Sequence, residues 1–205
     1  VVNSAALALA RELRGQQEQL RAHIMLGLCL QQRGLATAAL PHLERALKAA
    51  RQLGDRDRIA NALYNVALAE RDRGHYGRSF ALVEQAQALW RETGNDDGQA
   101  CALVASGTLL RIGGQHEPSR KVLEEALQLA QSHGLAGRKR HVSMALGRTL
   151  TALGSLTEAR RCLQQCVSEC EEAGQIPLGT LARIALARLC LQERRSGDLL
   201  RACRE

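Results

Sequence analysis

Aromatic residues are almost missing from this chain: Tyr64, Tyr76, Phe80 and Trp90 are the four among 205 residues, 2% of the total. A core must therefore be built from Leu, Ala and Val, which suits closely approaching helices better than sheets. Proline is confined to Pro41, Pro118 and Pro177, while Ala, Leu, Arg, Gln and Glu favour helix throughout, so an all-α chain is expected. No uninterrupted apolar run reaches the roughly 18 residues of a membrane span. Val1 to Ala10 lacks the basic start and cleavage site of a secretory signal. A soluble, cytoplasmic chain with no membrane partner is the expectation. Seven cysteines, an odd number scattered over helical segments, fit free thiols in a reducing compartment. The sequence also lacks a glycine-rich phosphate loop, an H-E-x-x-H motif and any Ser-His-Asp set that periodicity would bring together. No catalytic residue, metal site or cofactor is expected, and the chain is read as not an enzyme.

What is present is a period. Gly34, Gly74, Gly114 and Gly154 stand forty residues apart, and Gly54, Gly94, Gly134 and Gly174 fall halfway between. Two turns per forty residues, four times running, describe stacked helix pairs in a solenoid. Rows of forty also align a small column in each first helix: Gly27, Ala67, Gly107, Gly147 and Ala187. The second helices carry Ala39, Ser79, Ser119 and Ala159, then Leu43, Val83, Leu123 and Leu163, then Ala46, Ala86, Ala126 and Cys166. Spacings of four and three mark one helical face. Small residues let helix axes approach while Leu and Val fill the remaining volume. Pro118 and Pro177 sit in opening turns, where no amide donor is needed. Pro41 lies about one turn into its helix, so that helix is expected to begin late or to kink.

These columns, with "LGLCLQQRG", "VALAERDRG", "SGTLLRIGG" and "LGRTLTALG" closing the first helices, resemble the tetratricopeptide repeat over essentially the whole chain. The forty-residue period is similar to the longer-helix variety in bacterial signalling regulators and animal adaptor proteins. "ARQLGDRDRIANALYNVAL" is close to that variety's linker. The family's tryptophan column holds His23, Leu63, Leu103, Ser143 and Arg183 here, and only Tyr76 keeps the usual aromatic after the turn. The resemblance implies a right-handed α-solenoid of antiparallel helix pairs, a superhelix of tetratricopeptide type.

One array over 1–205 is expected: a half repeat at 3–14, full repeats at 15–54, 55–94, 95–134 and 135–174, and a partial repeat at 175–205. "LALARELRGQQEQLRAHIMLG" overlays "LKAARQLGDRDRIANALYNVA" at an offset of forty, so 3–14 reads as the tail of a second helix. At the other end, a first helix over 175–195 and a new helix from Ser196-Gly197-Asp198 are expected. The chain is read as a window on a longer protein.

In such a solenoid the first helices line the concave face. Successive rows offer Arg21, Ile24, Met25, Leu28 and Gln31, then Asn61, Tyr64, Asn65, Leu68 and Arg71, then Cys101, Val104, Ala105, Thr108 and Arg111. His141, Met144, Ala145, Arg148 and Thr151 follow, then Leu181, Ile184, Ala185 and Arg188. No carboxylate stands among these positions, although Glu70 and Asp72 flank Arg71 and could neutralise it. Arginine's planar fork suits carboxylate or phosphate, and the apolar residues between would grip aliphatic side chains. A peptide or protein segment with acidic and apolar residues is the implied ligand. The candidate groove residues are Arg21, Asn61, Tyr64, Asn65, Arg71, Arg111, His141, Arg148 and Arg188. Asn65 occupies the column that peptide-binding members of the resembled family use to bond a ligand's main chain, but no asparagine ladder continues it, and the Lys-and-Asn clamp of chaperone-tail binders is absent.

Cys162, Cys166 and Cys170 form one stripe, yet Cys166 occupies the small packing column, and no C-x-x-C accompanies it. The formal charge is +7, but its densest run, "GRKRH" from Gly137 to His141, lacks interleaved aromatics and reads as a solvated helix start rather than a phosphate track. The function expected is a protein-interaction module, the regulatory or scaffolding part of a larger protein. The alternatives are an array that self-associates through its end helices and the sensor domain of a signalling or transcriptional regulator.

Overall fold

The computed structural model describes the backbone of residues 2–202 and the side chains of residues 14–193. Among the described residues there are nine α-helices and no strand: α1 Val2–Gln32, α2 Ala36–Leu53, α3 Arg56–Asp72, α4 Tyr76–Thr93, α5 Asp96–Ile112, α6 His116–Ser132, α7 Ala136–Leu153, α8 Leu156–Glu172 and α9 Ile176–Ala202. Two or three residues separate consecutive helices, which forces packed neighbours to run antiparallel. The chain divides into two compact units, Val1–Ala102 and Leu103–Glu205, with the boundary inside α5. In the first unit α1 packs on α2, α2 on α3 and α3 on α4. In the second, α6 packs on α7, α7 on α8 and α8 on α9, and α7 also meets α9. Each unit is thus an all-α stack of antiparallel helix pairs, the solenoid architecture expected from the period.

The turns follow from glycine's freedom at positive φ. All eight glycines of the two series lie there, with φ between 65° and 86°. Around Gly74, its own N–H donates to the Arg71 carbonyl (2.9 Å) and the His75 N–H to the Glu70 carbonyl (2.9 Å). This double bond is the Schellman ending, which satisfies carbonyls the helix leaves open. Asp55 and Asn95 complete the other side of their turns, accepting from the Arg58 N–H (3.0 Å) and the Gly98 N–H (2.9 Å).

Close approach explains the small columns. A Cβ added to Gly27 would lie 2.4 Å from Leu43 Cδ2; one on Gly107 would lie 2.6 Å from Leu123 Cγ, and one on Gly147 2.6 Å from Leu163 Cγ. Leu43, Leu123 and Leu163 are fully buried, as are Ala46, Ala86, Ala126 and Cys166 beside them. Two of the second-helix small residues add a repeated bond: Ser79 Oγ donates to the Ala67 carbonyl and Ser119 Oγ to the Gly107 carbonyl, each at 2.7 Å. Trp90 breaks the size pattern of a column that otherwise holds Ala50, Ala130 and Cys170. Its ring is accommodated because Gly98 faces it, where any Cβ would come within 2.4 Å.

Three expectations need correction. The helix thought to end at residue 14 continues through Gly15 to Gln32 as one helix, α1. The position of the turn series is held there by Arg14, and Gly15, one residue late, is not among the left-handed glycines. At the other end α9 runs through Ser196, Gly197 and Asp198 to Ala202, with no second helix starting at Ser196. Arg194 occupies the turn position, so nothing interrupts the ladder there. Lastly, of the two readings of Pro41 the late start is excluded: α2 starts at Ala36, with Pro41 inside it. Proline has no N–H to return to the Thr37 carbonyl, and the helix tolerates that loss near its start. Val1 and residues 203–205, including Cys203, lie outside the described residues.

Candidate functional site

In the second unit, one pocket of about 450 Å³ is lined from three successive first helices. Helix α5 contributes Arg111, α7 contributes Arg148, Thr151 and Ala152, and α9 contributes Leu181, Ile184, Ala185, Arg188 and Gln192. The period brings them together: Arg148 and Arg188 stand forty residues apart, as do Thr151 and Arg111. None of these lining residues is acidic. Arg111 is half-buried, and burial, followed by the nearby Arg148 charge, holds its guanidinium below the ordinary arginine value. Thr151 Oγ donates to the Gly147 carbonyl at 2.8 Å, so its hydroxyl proton is spent within α7. Leu181 and Ile184 remain exposed as an apolar wall, 53% and 45% accessible.

Seven of these nine residues stand on the face read from the sequence. Ala152 and Gln192 were missed, yet they too are forty apart, so the lining extends one helical position further than expected. His141 stands on α7 outside this lining set. Its ring is exposed at the helix surface but shielded enough that its pKa is lowered, first by desolvation and then by the Arg138 and Arg140 charges.

The first unit places its candidates differently. Arg21 and Asn61 are exposed, and Tyr64, Asn65 and Arg71 are half-buried. The Tyr64 ring leans on Trp90, with centroids 5.7 Å apart and planes at 59°, a tilted contact that also anchors the tyrosine between α3 and α4. Arg71 is held by its neighbour Asp72, through Nε at 3.0 Å and Nη2 at 2.8 Å. Glu70, expected to share that role, does not. It is fully buried, accepts from Arg73 Nη1 (3.1 Å), meets His75 Nδ1 (2.7 Å), and faces Arg78 Nη1 at 3.1 Å. Three basic side chains thus gather on one buried carboxylate at the α3–α4 turn, a staple between elements and not a groove charge.

In the cysteine stripe Cys166 and Cys170 are packed inside, while Cys162 is half-buried. Cys166 and Cys170 are buried with Leu178 and Ala182. Cys162 Sγ donates to the Ser143 carbonyl (3.1 Å) and Cys166 Sγ to the Arg140 carbonyl (3.3 Å). Burial, and then Cys170, push the Cys166 thiol up to about 12, and burial also raises Cys162. Among the described residues, no group of three or more His, Cys, Asp and Glu side chains is placed to hold a metal ion, and no helix is long and apolar enough to cross a membrane.

An array of antiparallel helix pairs is the architecture of an interaction module. Tetratricopeptide-repeat family models match residues 18–88, 58–132 and 144–173, and the chain belongs to the tetratricopeptide repeat family. No curated protein matches it in sequence. Among solved structures it is similar to kinesin-light-chain TPR-like repeats of Podosopora anserina, at 20% identity and TM-score 0.63, covering 90% of this chain and 93% of that one. It also resembles aspartyl phosphate phosphatase F from Bacillus subtilis (11% identity, TM-score 0.72, 90% of this chain and 50% of that one). A third is the Rap conjugation gene regulator of plasmid pLS20 in complex with the Phr* peptide (14%, 0.65, 86% and 53%). The chain spans about half the length of these last two. At such identities the likeness is one of fold.

Proposed function

We propose that this chain is a protein-interaction module whose second unit captures a peptide or protein segment carrying acidic and apolar residues, as the regulatory or scaffolding part of a larger protein. The observation that carries this reading is the pocket itself: Arg111, Arg148 and Arg188 line it, none of its lining residues is acidic, and Leu181 and Ile184 form its wall. A half-buried guanidinium disfavoured by its surroundings gains from an incoming carboxylate, and aliphatic ligand side chains gain from covering exposed Leu and Ile. Family membership supports the general role. The Rap regulator solved with the Phr* peptide is a fold-level precedent for a peptide on such an array. His141 is assigned a secondary, polar part in the second unit; Arg21, Asn61 and Asn65 are proposed as polar contacts of the first unit, taken by itself.

The test is fluorescence anisotropy with labelled dodecapeptides that alternate Leu or Ile with Asp or Glu. Such peptides bind, and Arg111→Glu with Arg148→Glu lowers affinity by about 100-fold or more at unchanged helicity, the scale for reversing two interfacial charges. Equal binding by the double variant, or by peptides with Lys in place of the acids, sinks the reading. Mass that rises with concentration and is blocked by Leu191→Glu on α9 would favour self-association instead.

A further inference from the structure

In the first unit the second helices carry a groove of their own. A cavity of about 570 Å³ lies between α2 and α4, with Val66 of α3 beneath it. Glu44, Leu47, Lys48, Arg51 and Gln52 line it from α2, at the three-and-four spacing of one helical face, and Arg78 and Leu82 line it from α4. Leu47 and Val66 close the floor and are buried, while Leu82 is half-buried at its edge. Arg78 reaches across to Glu44 (3.5 Å) and closes one end. Lys48 and Arg51 stand exposed along the rest of the rim.

The period supplies an internal comparison. Eighty residues on, in the second unit, Glu124, Leu127, Gln131, Leu146, Glu158 and Cys162 line the equivalent groove, of about 310 Å³. Its apolar floor is kept, since Leu127 and Leu146 replace Leu47 and Val66. Its charge is not: Lys48, Arg51 and Arg78 give way to Gln128, Gln131 and Glu158, and the Lys139 and Arg161 of that lining are balanced by Glu124 and Glu158. Helix-pair packing therefore requires the floor but not the positive rim. Main-chain groups along the first groove are mostly spent in helical ladders, so an extended segment would face an apolar floor with its own N–H and C=O groups unpaired. A helix arrives with those bonds already made. No lining residue is aromatic, which leaves nucleic-acid bases without a stacking surface.

We infer that this groove docks an acidic amphipathic helix of a partner protein. The partner's apolar stripe enters between α2 and α4, over Leu82 and the aliphatic stems of Lys48 and Arg51, and its flanking carboxylates meet those two charges. The groove shares no residue with the second unit's pocket and stands independently of the function proposed there.

The probe is a labelled, acetylated peptide of two heptads with Leu at three-and-four spacing and Glu flanking that stripe, titrated by anisotropy with the whole 205-residue chain. It binds, and rising salt weakens it. Lys48→Glu with Arg51→Glu lowers its affinity at least about tenfold at unchanged helicity, the scale for two reversed charges at a contact. Leu82→Glu also weakens it, whereas Arg111→Glu with Arg148→Glu leaves it unchanged, which separates this groove from the second unit's pocket. Peptides with Lys in place of Glu, or with the same residues shuffled so that no apolar stripe forms, bind more weakly. Equal binding by either, binding that survives Lys48→Glu with Arg51→Glu, or no binding at all would overturn the inference. A single-stranded oligonucleotide that displaces the peptide and binds the rim more tightly would overturn it in favour of phosphate.

Discussion

Gly147→Ala tests whether the helix stack depends on the small column. The added methyl would lie 2.6 Å from Leu163 Cγ and 2.7 Å from Cδ2, whereas an unstrained carbon contact is about 3.5–4.0 Å. About 1 Å of separation must therefore be found. Leu163 has little room to move, being fully buried among Leu123, Leu146, Leu150 and Leu189. Overpacking of this kind costs about 1–3 kcal/mol, and replacing a helical glycine by alanine returns about 0.5–1 kcal/mol. The expected net loss is about 0–2.5 kcal/mol, centred on about 1 kcal/mol, read as a lower urea midpoint by far-UV circular dichroism. Gly137→Ala is the control. It lies in the same helix, and its added Cβ would meet nothing closer than Arg140 Nη2 at 4.0 Å, so it should be neutral or stabilising. In a Leu163→Ala background, which opens space at the contact, Gly147→Ala should change sign and raise stability. A Gly147→Ala variant as stable as Gly137→Ala, or one whose effect is unaltered by Leu163→Ala, would refute the close-contact argument.

Four further outcomes are expected. At pH 8, iodoacetamide followed by mass spectrometry should label Cys29 and Cys190, which are exposed, and spare Cys166, whose thiol is pushed up to about 12. Because the unfolded chain ionises that thiol first, near its ordinary 9.0, its contribution to stability is lost as pH rises toward 12, and Cys166→Ala should flatten that slope. His141 acts at the acid side: its native pKa is lowered, so the unfolded chain takes up the proton first as pH falls through 6.5. Urea midpoints should drop between pH 8 and pH 5.5, less so in His141→Gln; an identical drop in that variant would assign the effect elsewhere. At Glu70, alanine should cost about 1–3 kcal/mol by removing both the filled volume and the carboxylate on which Arg73, His75 and Arg78 gather, whereas glutamine, which keeps the volume, should cost less. Equal losses would mean that the gathered cations matter more than the filled volume.

Much of this architecture was legible because the period constrains several properties at once. A glycine every twenty residues marked the turns, and all eight are left-handed. The same rows marked Gly27, Gly107 and Gly147 as points of close helix approach, and in the structure each faces a leucine. The lining of the second unit's pocket follows the same period, since residues forty apart on its successive first helices share one surface. What escaped were departures from the repeat. Glu70 stands in the column of Leu30, Leu110 and Leu150, which places it inward, but its proximity to Arg71 along the chain suggested a surface pair. The pairing of Glu70 with Arg73, His75 and Arg78 depends on how the α3–α4 turn folds back, which no local pattern records. The continuous α1 and α9 followed from shifts of one and three residues in the glycine register. Such shifts are slight in sequence and decisive in structure, because a glycine off the turn position stays helical.

The central claim is that the first-helix pocket of the second unit takes an acidic peptide. Amide hydrogen exchange of the chain with and without a saturating peptide that alternates Leu with Glu tests it most directly. The account predicts added protection in the last turn of α7 and across residues 181–192 of α9, with none over 156–172 in α8, and loss of that protection in Arg148→Gln with Arg188→Gln. Protection confined to α8, or protection that survives those two substitutions, would contradict it.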